Sequence, residues 1–305
     1  VQEPAGIRHV LTVAVIASLA TASIAGDQQP AFRSGIDLVA VDVSVRLPVS
    51  RGTEPILGLQ AADFEIFDNG VRQDIVDVSY GSRPIDVTLA IDLGFKSSDF
   101  SSRLRKGVNE VVSNLGGQDR VRLILFNSKV PRATEFTRDS AAIDRALREA
   151  RAGSQSGFAD AFGDALAAAT PADRRHLVLF VTDGTLNSSA KPEMLLDLAR
   201  RSRATMSMIL PIELPTGRGF VTPSPAQRER TESLNQLAQE TGGVVVWMTP
   251  GGYVDQVVRV LFEDFRASYV LHFAPTGVEP GGVHTLQVKV KRPDARVKAR
   301  RAYVR

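Results

Sequence analysis

The chain has 305 residues, 43% of them hydrophobic and 23% charged. These are values of a soluble globular protein, which excludes disorder over most of the length and sets an expectation of one large domain plus a smaller one. The net charge of +3 is too small to imply nucleic-acid binding, and the absence of cysteine excludes disulfides, thiolate metal sites and cysteine nucleophiles.

Arg8 and His9 precede an apolar run from Val10 to Ala25 that ends in the small residues Ser23-Ile24-Ala25. A basic start, a short apolar centre and a small-x-small end predict a secretory signal over residues 1–25, cleaved after Ala25. The run is shorter than the roughly 20 residues a spanning helix needs; left uncleaved, it would serve as a membrane anchor. The expected location is therefore exported, periplasmic or extracellular.

The next segment, 33–82, reads as β. Residues 36–47 are rich in β-branched side chains and partly alternate, which predicts a strand. Phe64-Glu65-Ile66-Phe67 predicts a second, Asp68-Asn69-Gly70 a hairpin turn, and Gln73–Tyr80 a third strand.

From Pro84 the pattern changes. Ile85–Ile91 is a continuous apolar strand. A helix from Ser97 or Ser98 to about Leu115 places Leu104, Val108, Val111 and Val112 on one face. Arg120–Phe126 reads as a strand, and Val130–Thr137 as a short edge strand because Pro131 cannot donate to a ladder. Helices follow at Asp139–Arg151 and Asp160–Ala169, a buried strand at His176–Thr182, a helix at Pro192–Arg203 and a strand at Thr205–Ile212. The last elements are a helix at Gln227–Glu240 stopped by Gly242-Gly243, a strand at Val244–Trp247 and a helix at Tyr253–Arg266. Alternating strands and helices over 84–265 predict an α/β fold, a doubly wound, mainly parallel sheet with helices on both faces. Such sheets bind ligands beyond the carboxyl ends of their strands.

The remainder, 266–305, returns to β, with strands expected at Tyr269–Phe273, His284–Lys291 and Arg296–Val304. It is expected to pair with 33–82 into a small β-sandwich, with the α/β domain inserted between the two. Eight basic residues between Lys289 and Arg305 face one acid, Asp294. They read as solvated strand faces, or as a contact with an anionic envelope surface. The lone ring there, Tyr303, gives no support to nucleic acid.

Three places converge on one edge of the sheet: Asp92-Leu-Gly94-Phe-Lys96 after the first α/β strand, Asp160 at a helix start, and Asp183-Gly184 after the fourth strand. Clustered carboxylates repel unless a cation sits among them. Each alone has a local explanation, Asp160 for instance as the N-cap of its helix.

The pattern Asp92-x-Gly94-x-Lys96, the Gly157–Leu166 helix start and Val181-Thr182-Asp183-Gly184 resembles the von Willebrand factor A domain with its metal-ion-dependent adhesion site. The flanking blocks Val39–Val45, Gly58–Gly70, Tyr269–Pro275 and Ala299–Tyr303 are similar to bacterial exported proteins related to it. The resemblance implies a Rossmann-like α/β domain that binds a protein partner through a metal. The family's first motif is an acid followed at alternate positions by two serines. Here Gly94 and Lys96 stand at the serine positions, the family's threonine falls at Asp160, and the last acid is kept as Asp183.

Two readings follow. Asp92, Asp160 and Asp183 could hold Mg²⁺ or Mn²⁺ with waters in place of the serine oxygens. Alternatively, the Lys96 ammonium sits among the three carboxylates as a tethered cation. No phosphate-binding loop, dinucleotide fingerprint or serine-hydrolase elbow is present: Gly153-Ser-Gln-Ser-Gly157 has Gln at its centre. His176, His272 and His284 are scattered and read as structural. The expected function is a non-enzymatic protein-interaction module, adhesive or scaffolding, with no catalytic residue. The alternatives are a metal-dependent hydrolase using the acidic cluster and a purely structural envelope domain. The sequence leaves the partner and the oligomeric state open.

Overall fold

In the computed structural model, the described residues are 38–305 apart from 51, 95–97, 128–131, 152, 154–156, 169, 183–190, 212–224 and 249–252. The expected signal segment and Lys96, Asp183 and Gly184 therefore lie outside the described residues. Among the described residues, no helix is long and apolar enough to cross a membrane.

The chain opens with β1 (Val39–Val49), β2 (Gly52–Pro55), β3 (Phe64–Asp68), β4 (Val71–Gln73) and β5 (Ile75–Tyr80). The β3–β4 hairpin turns on Asn69 and Gly70 with φ of 47° and 81°, the positive φ pair that Asn-Gly supplies at least cost. The expected single strand Gln73–Tyr80 is corrected here. It breaks at Asp74, and its halves join different sheets: β4 pairs with β3, whereas β5 pairs with a strand from the far end of the chain.

The middle of the chain gives β6 (Ile85–Asp92), α1 (Ser98–Ser113), β7 (Arg120–Phe126), β8 (Arg132–Ala133), α2 (Ser140–Glu149), α3 (Phe158–Leu166), β9 (Arg175–Val181), α4 (Pro192–Arg201), β10 (Thr205–Pro211), α5 (Pro225–Glu240), β11 (Val245–Met248) and α6 (Val254–Arg266). The sheet order is β11-β10-β9-β6-β7-β8. Neighbours are parallel except β8, which runs antiparallel to β7, so the sheet is mixed. β6 and β9 lie at its centre and are buried at every position, as expected for strands covered on both faces. Alternate side chains serve opposite layers. Val87, Leu89, Leu177 and Leu179 pack with Leu104 and Val108 of α1 and Val258 and Phe262 of α6. Ala90, Val178 and Phe180 pack with Phe158 and Phe162 of α3, Leu195 of α4 and Leu234 of α5. Burying each large side chain contributes roughly 1.5–3 kcal/mol.

The chain closes with β12 (Tyr269–Phe273), β13 (Val283–Val290), β14 (Arg296–Ala299) and β15 (Ala302–Val304). The expected strand Arg296–Val304 is split at Arg300-Arg301, again because the chain changes sheets. One sheet runs β14-β1-β12-β5 with β2 on β1, the other β15-β13-β3-β4, so each mixes strands from both ends of the chain. Their shared core contains Val41, Val43, Val45, Phe64, Ile66, Tyr269, Leu271 and Phe273. Inside it Asp68 accepts hydrogen bonds from His284 Nδ1 at 2.9 Å and Tyr303 Oη at 2.8 Å, a structural use of that histidine.

The opposite face of β1 meets the α/β domain. Asp42 takes Arg175 Nε at 2.6 Å. Asp264 of α6 accepts from Ser44, Arg46 and Lys298. Arg300, fully buried, donates to the Ser202 carbonyl at 2.6 Å beyond the end of α4; burial pulls its pKa down to about 10. Two of the tail's basic residues are thus engaged by the protein itself, Arg300 buried and Lys298 half-buried. Lys289 lies over the Phe67 ring.

Candidate functional site

β6 and β7 lie side by side with Asp92 opposite Phe126, and the Leu93 N–H donates to the Phe126 carbonyl at 3.0 Å. Both strands therefore end at the same level of the sheet. Asp92 is 4% exposed. Its Oδ1 accepts from the Gly94 N–H at 2.7 Å and the Asn127 amide at 2.5 Å, and its Oδ2 accepts from the Thr182 hydroxyl at 3.2 Å. One carboxylate so ties together the segments after β6, β7 and β9.

Asn127, directly after β7, joins them to a fourth. Its side-chain oxygen accepts the Gly157 N–H at 3.0 Å and its carbonyl accepts the Gly153 N–H at 2.7 Å. It does this with φ of 53°, a left-handed conformation that asparagine adopts more readily than most residues. Gly157 is the N-cap of α3. Asp160, whose local explanation was an N-cap, instead sits exposed in the first turn. A carboxylate there is favoured by the helix dipole. Gly94 has its own steric reason. A Cβ at that position would lie 2.9 Å from Asp92 Oδ1, so a side chain there would require the carboxylate to shift.

Of the residues singled out from the sequence, Asp92 and Gly94 are in direct contact. Asp160 lies on the helix whose cap is linked to Asp92 through Asn127. The sequence reading missed Asn127 and the hydroxyl of Thr182. The available signal was an asparagine immediately after the expected strand Arg120–Phe126, a residue type that tolerates positive φ.

Asp183, the third carboxylate of the expected metal site, lies outside the described residues. Asp92 Oδ1 accepts two N–H donors and Oδ2 a hydroxyl. Among the described residues, no group of three acidic or histidine side chains could hold a metal.

No protein-family model matches the sequence, and no curated protein matches it either. The chain is similar in structure to an aerotolerance-related membrane protein from Bacteroides fragilis, with 14% identity and a TM-score of 0.43, over 59% of this chain and 98% of that one. It is similar to the conserved hypothetical protein BatB from Bacteroides thetaiotaomicron, with 13% identity and a TM-score of 0.44, over 59% and 98%. It is also similar to the VWA domain of SpRpn10, with 14% identity and a TM-score of 0.40, over 58% and 94%. At TM-scores below 0.5 these likenesses decide nothing about the site, which stands on this chain's own residues.

Proposed function

We propose that the protein is an exported, non-enzymatic protein-interaction module that presents the rim around Asp92 to a protein partner. The observation that supports this most is the Asp92 carboxylate, buried and hydrogen-bonded to the segments after β6, β7 and β9. Such a carboxylate orders the loops around it. A rim whose backbone is fixed in advance loses less conformational entropy on binding.

The account includes the tethered-cation reading. In it, Lys96 rather than a metal supplies the positive charge that offsets Asp92, Asp160 and Asp183; this rests on the sequence pattern alone, since Lys96 and Asp183 lie outside the described residues. Calorimetry with Mg²⁺ and Mn²⁺ tests it. The wild type is expected to show no heat of binding up to low-millimolar metal, and Lys96→Ser is expected to gain some. Micromolar binding by the wild type that Asp183→Ala abolishes would sink the tethered-lysine reading.

A further inference from the structure

β11 ends the sheet order β11-β10-β9-β6-β7-β8, and its outer side pairs with no strand among the described residues. The Met208 N–H donates to the Val244 carbonyl at 2.9 Å, and Met208 lies opposite Val245. In a parallel ladder this register directs the backbone groups of Val244, Val246 and Met248 at β10. It turns the N–H and C=O of both Val245 and Trp247 outward. Four strong hydrogen-bonding groups therefore stand in a row on an open edge.

Open edges are ordinarily blunted by charge, proline, a bulge or short length. The other end strands follow that rule. β5 carries Asp77 and pairs with β12 through a bulge, β4 carries Arg72, β8 Arg132, β14 Arg296 and β2 Pro55. β15 has three residues and runs into Arg305. β11 has none of these devices. Val244-Val245-Val246-Trp247-Met248 contains no charge and no proline, and its pairing with β10 is unbroken. Trp247, the single tryptophan of the chain, is 38% exposed.

We propose that β11 is an interaction edge for a second copy of this chain, the two strands pairing antiparallel about a two-fold axis at Val246. In that register Val245 of each copy faces Trp247 of the other, and each such pair exchanges both of its N–H···O bonds. All the outward groups of both strands are then satisfied. Each tryptophan ring lies beside a valine of the other copy, an aromatic and β-branched cross-strand pair. The edge fits a second copy because it is self-complementary: Val245 and Trp247 flank Val246 symmetrically, which an isologous contact requires. The strands meet head to tail, so the two Asp92 ends point in opposite directions. A dimer would thus offer two rims to two partners, a consequence that rests on the function proposed above, whereas the pairing itself does not.

The experiment is sedimentation velocity of the full chain over a concentration series, with front-face fluorescence of the same samples. A contact of this size belongs to the small, transient class, so a monomer–dimer equilibrium with Kd on the order of 100 µM is expected. The Trp247 emission is expected to move to the blue with concentration as the ring leaves water. Val245→Pro deletes an outward N–H without touching the ladder to β10, and Trp247→Lys adds the charge that other edges carry. Each is expected to weaken the dimer at least about tenfold with a wild-type melting curve. Absence of self-association up to about 500 µM, several times that Kd, overturns the proposal. So does a dimer that survives both substitutions, or one that forms with the Trp247 emission unchanged. If Val245→Pro does not fold, Trp247→Lys alone decides.

Discussion

Replacing Asn127 by alanine removes the donor at 2.5 Å from Asp92 Oδ1 and the acceptor of the Gly157 N–H at 3.0 Å. The first bond ends on a buried carboxylate and is worth about 1.5–3 kcal/mol, the second about 1 kcal/mol. Alanine at φ of 53° adds strain of about 1 kcal/mol, the cost of a left-handed residue that carries a Cβ. The expected loss is therefore about 3–5 kcal/mol, measured as the change in unfolding free energy from urea titrations. Asn127→Gly separates the contributions, because glycine accepts the backbone angle but makes neither bond. It is expected to recover about 1 kcal/mol relative to alanine. Amide exchange adds a local readout: protection of the Gly94 and Gly157 N–H groups should fall in both variants. A loss below about 1 kcal/mol in Asn127→Ala, with both amides still protected, would refute the view that Asn127 and Asp92 hold the rim together.

Other outcomes follow from the same structure. His176 has a folded pKa of about 4 against 6.5 when free. The unfolded chain therefore takes up its proton first as pH falls, and the wild type should lose up to about 3 kcal/mol of stability between pH 6.5 and 4; His176→Phe should flatten that part of the pH profile. Asp86 is buried and takes Arg120 and Arg174 at 2.7 and 2.6 Å. Burial raises its pKa, but the hydrogen bonds from the two guanidinium groups bring it below the usual carboxylate range. Its stabilisation is present above that range and lost as pH falls through the lowered value. Asp86→Asn should cost about 3–5 kcal/mol by urea titration at pH 7. A Cβ on Gly243 would sit 1.7 Å from the Met206 carbonyl oxygen, whereas one on Gly117 meets nothing within 4 Å. Gly243→Ala should lower Tm sharply, by more than about 3 kcal/mol equivalent, and Gly117→Ala should leave it within a few degrees.

Much of the fold could be read along the chain because local and tertiary demands agree there. The apolar runs of β6 and β9 are long enough to declare burial on both faces, and Asn69-Gly70 and Gly242 mark their turns by chemistry that only a positive φ explains. The errors fall where the chain changes sheets. Residues 73–80 and 296–304 keep a strand-like alternation through Asp74 and Arg300, because each half of the break still needs one face inward. The switch is set by which partner strand is near, which no local pattern records. Arg300 illustrates the same limit. In sequence it belongs to a basic tail, and in space it is buried against the end of α4. At the site, Asp92 was legible as an acid at a strand end. Asn127 was not, since its role depends on β7 lying beside β6 in a register that brings two strand ends level.

The central claim is that the rim around Asp92 engages a protein partner. The direct measurement is affinity capture from the envelope fraction of the source cells, comparing the wild type with Asp160→Arg. Asp160 is exposed on the first turn of α3, so the substitution reverses charge at the rim without touching the bonds of Asp92. The account expects a protein recovered by the wild type and lost, by tenfold or more, from Asp160→Arg with an unchanged melting curve. Equal recovery of every protein by the two would contradict it.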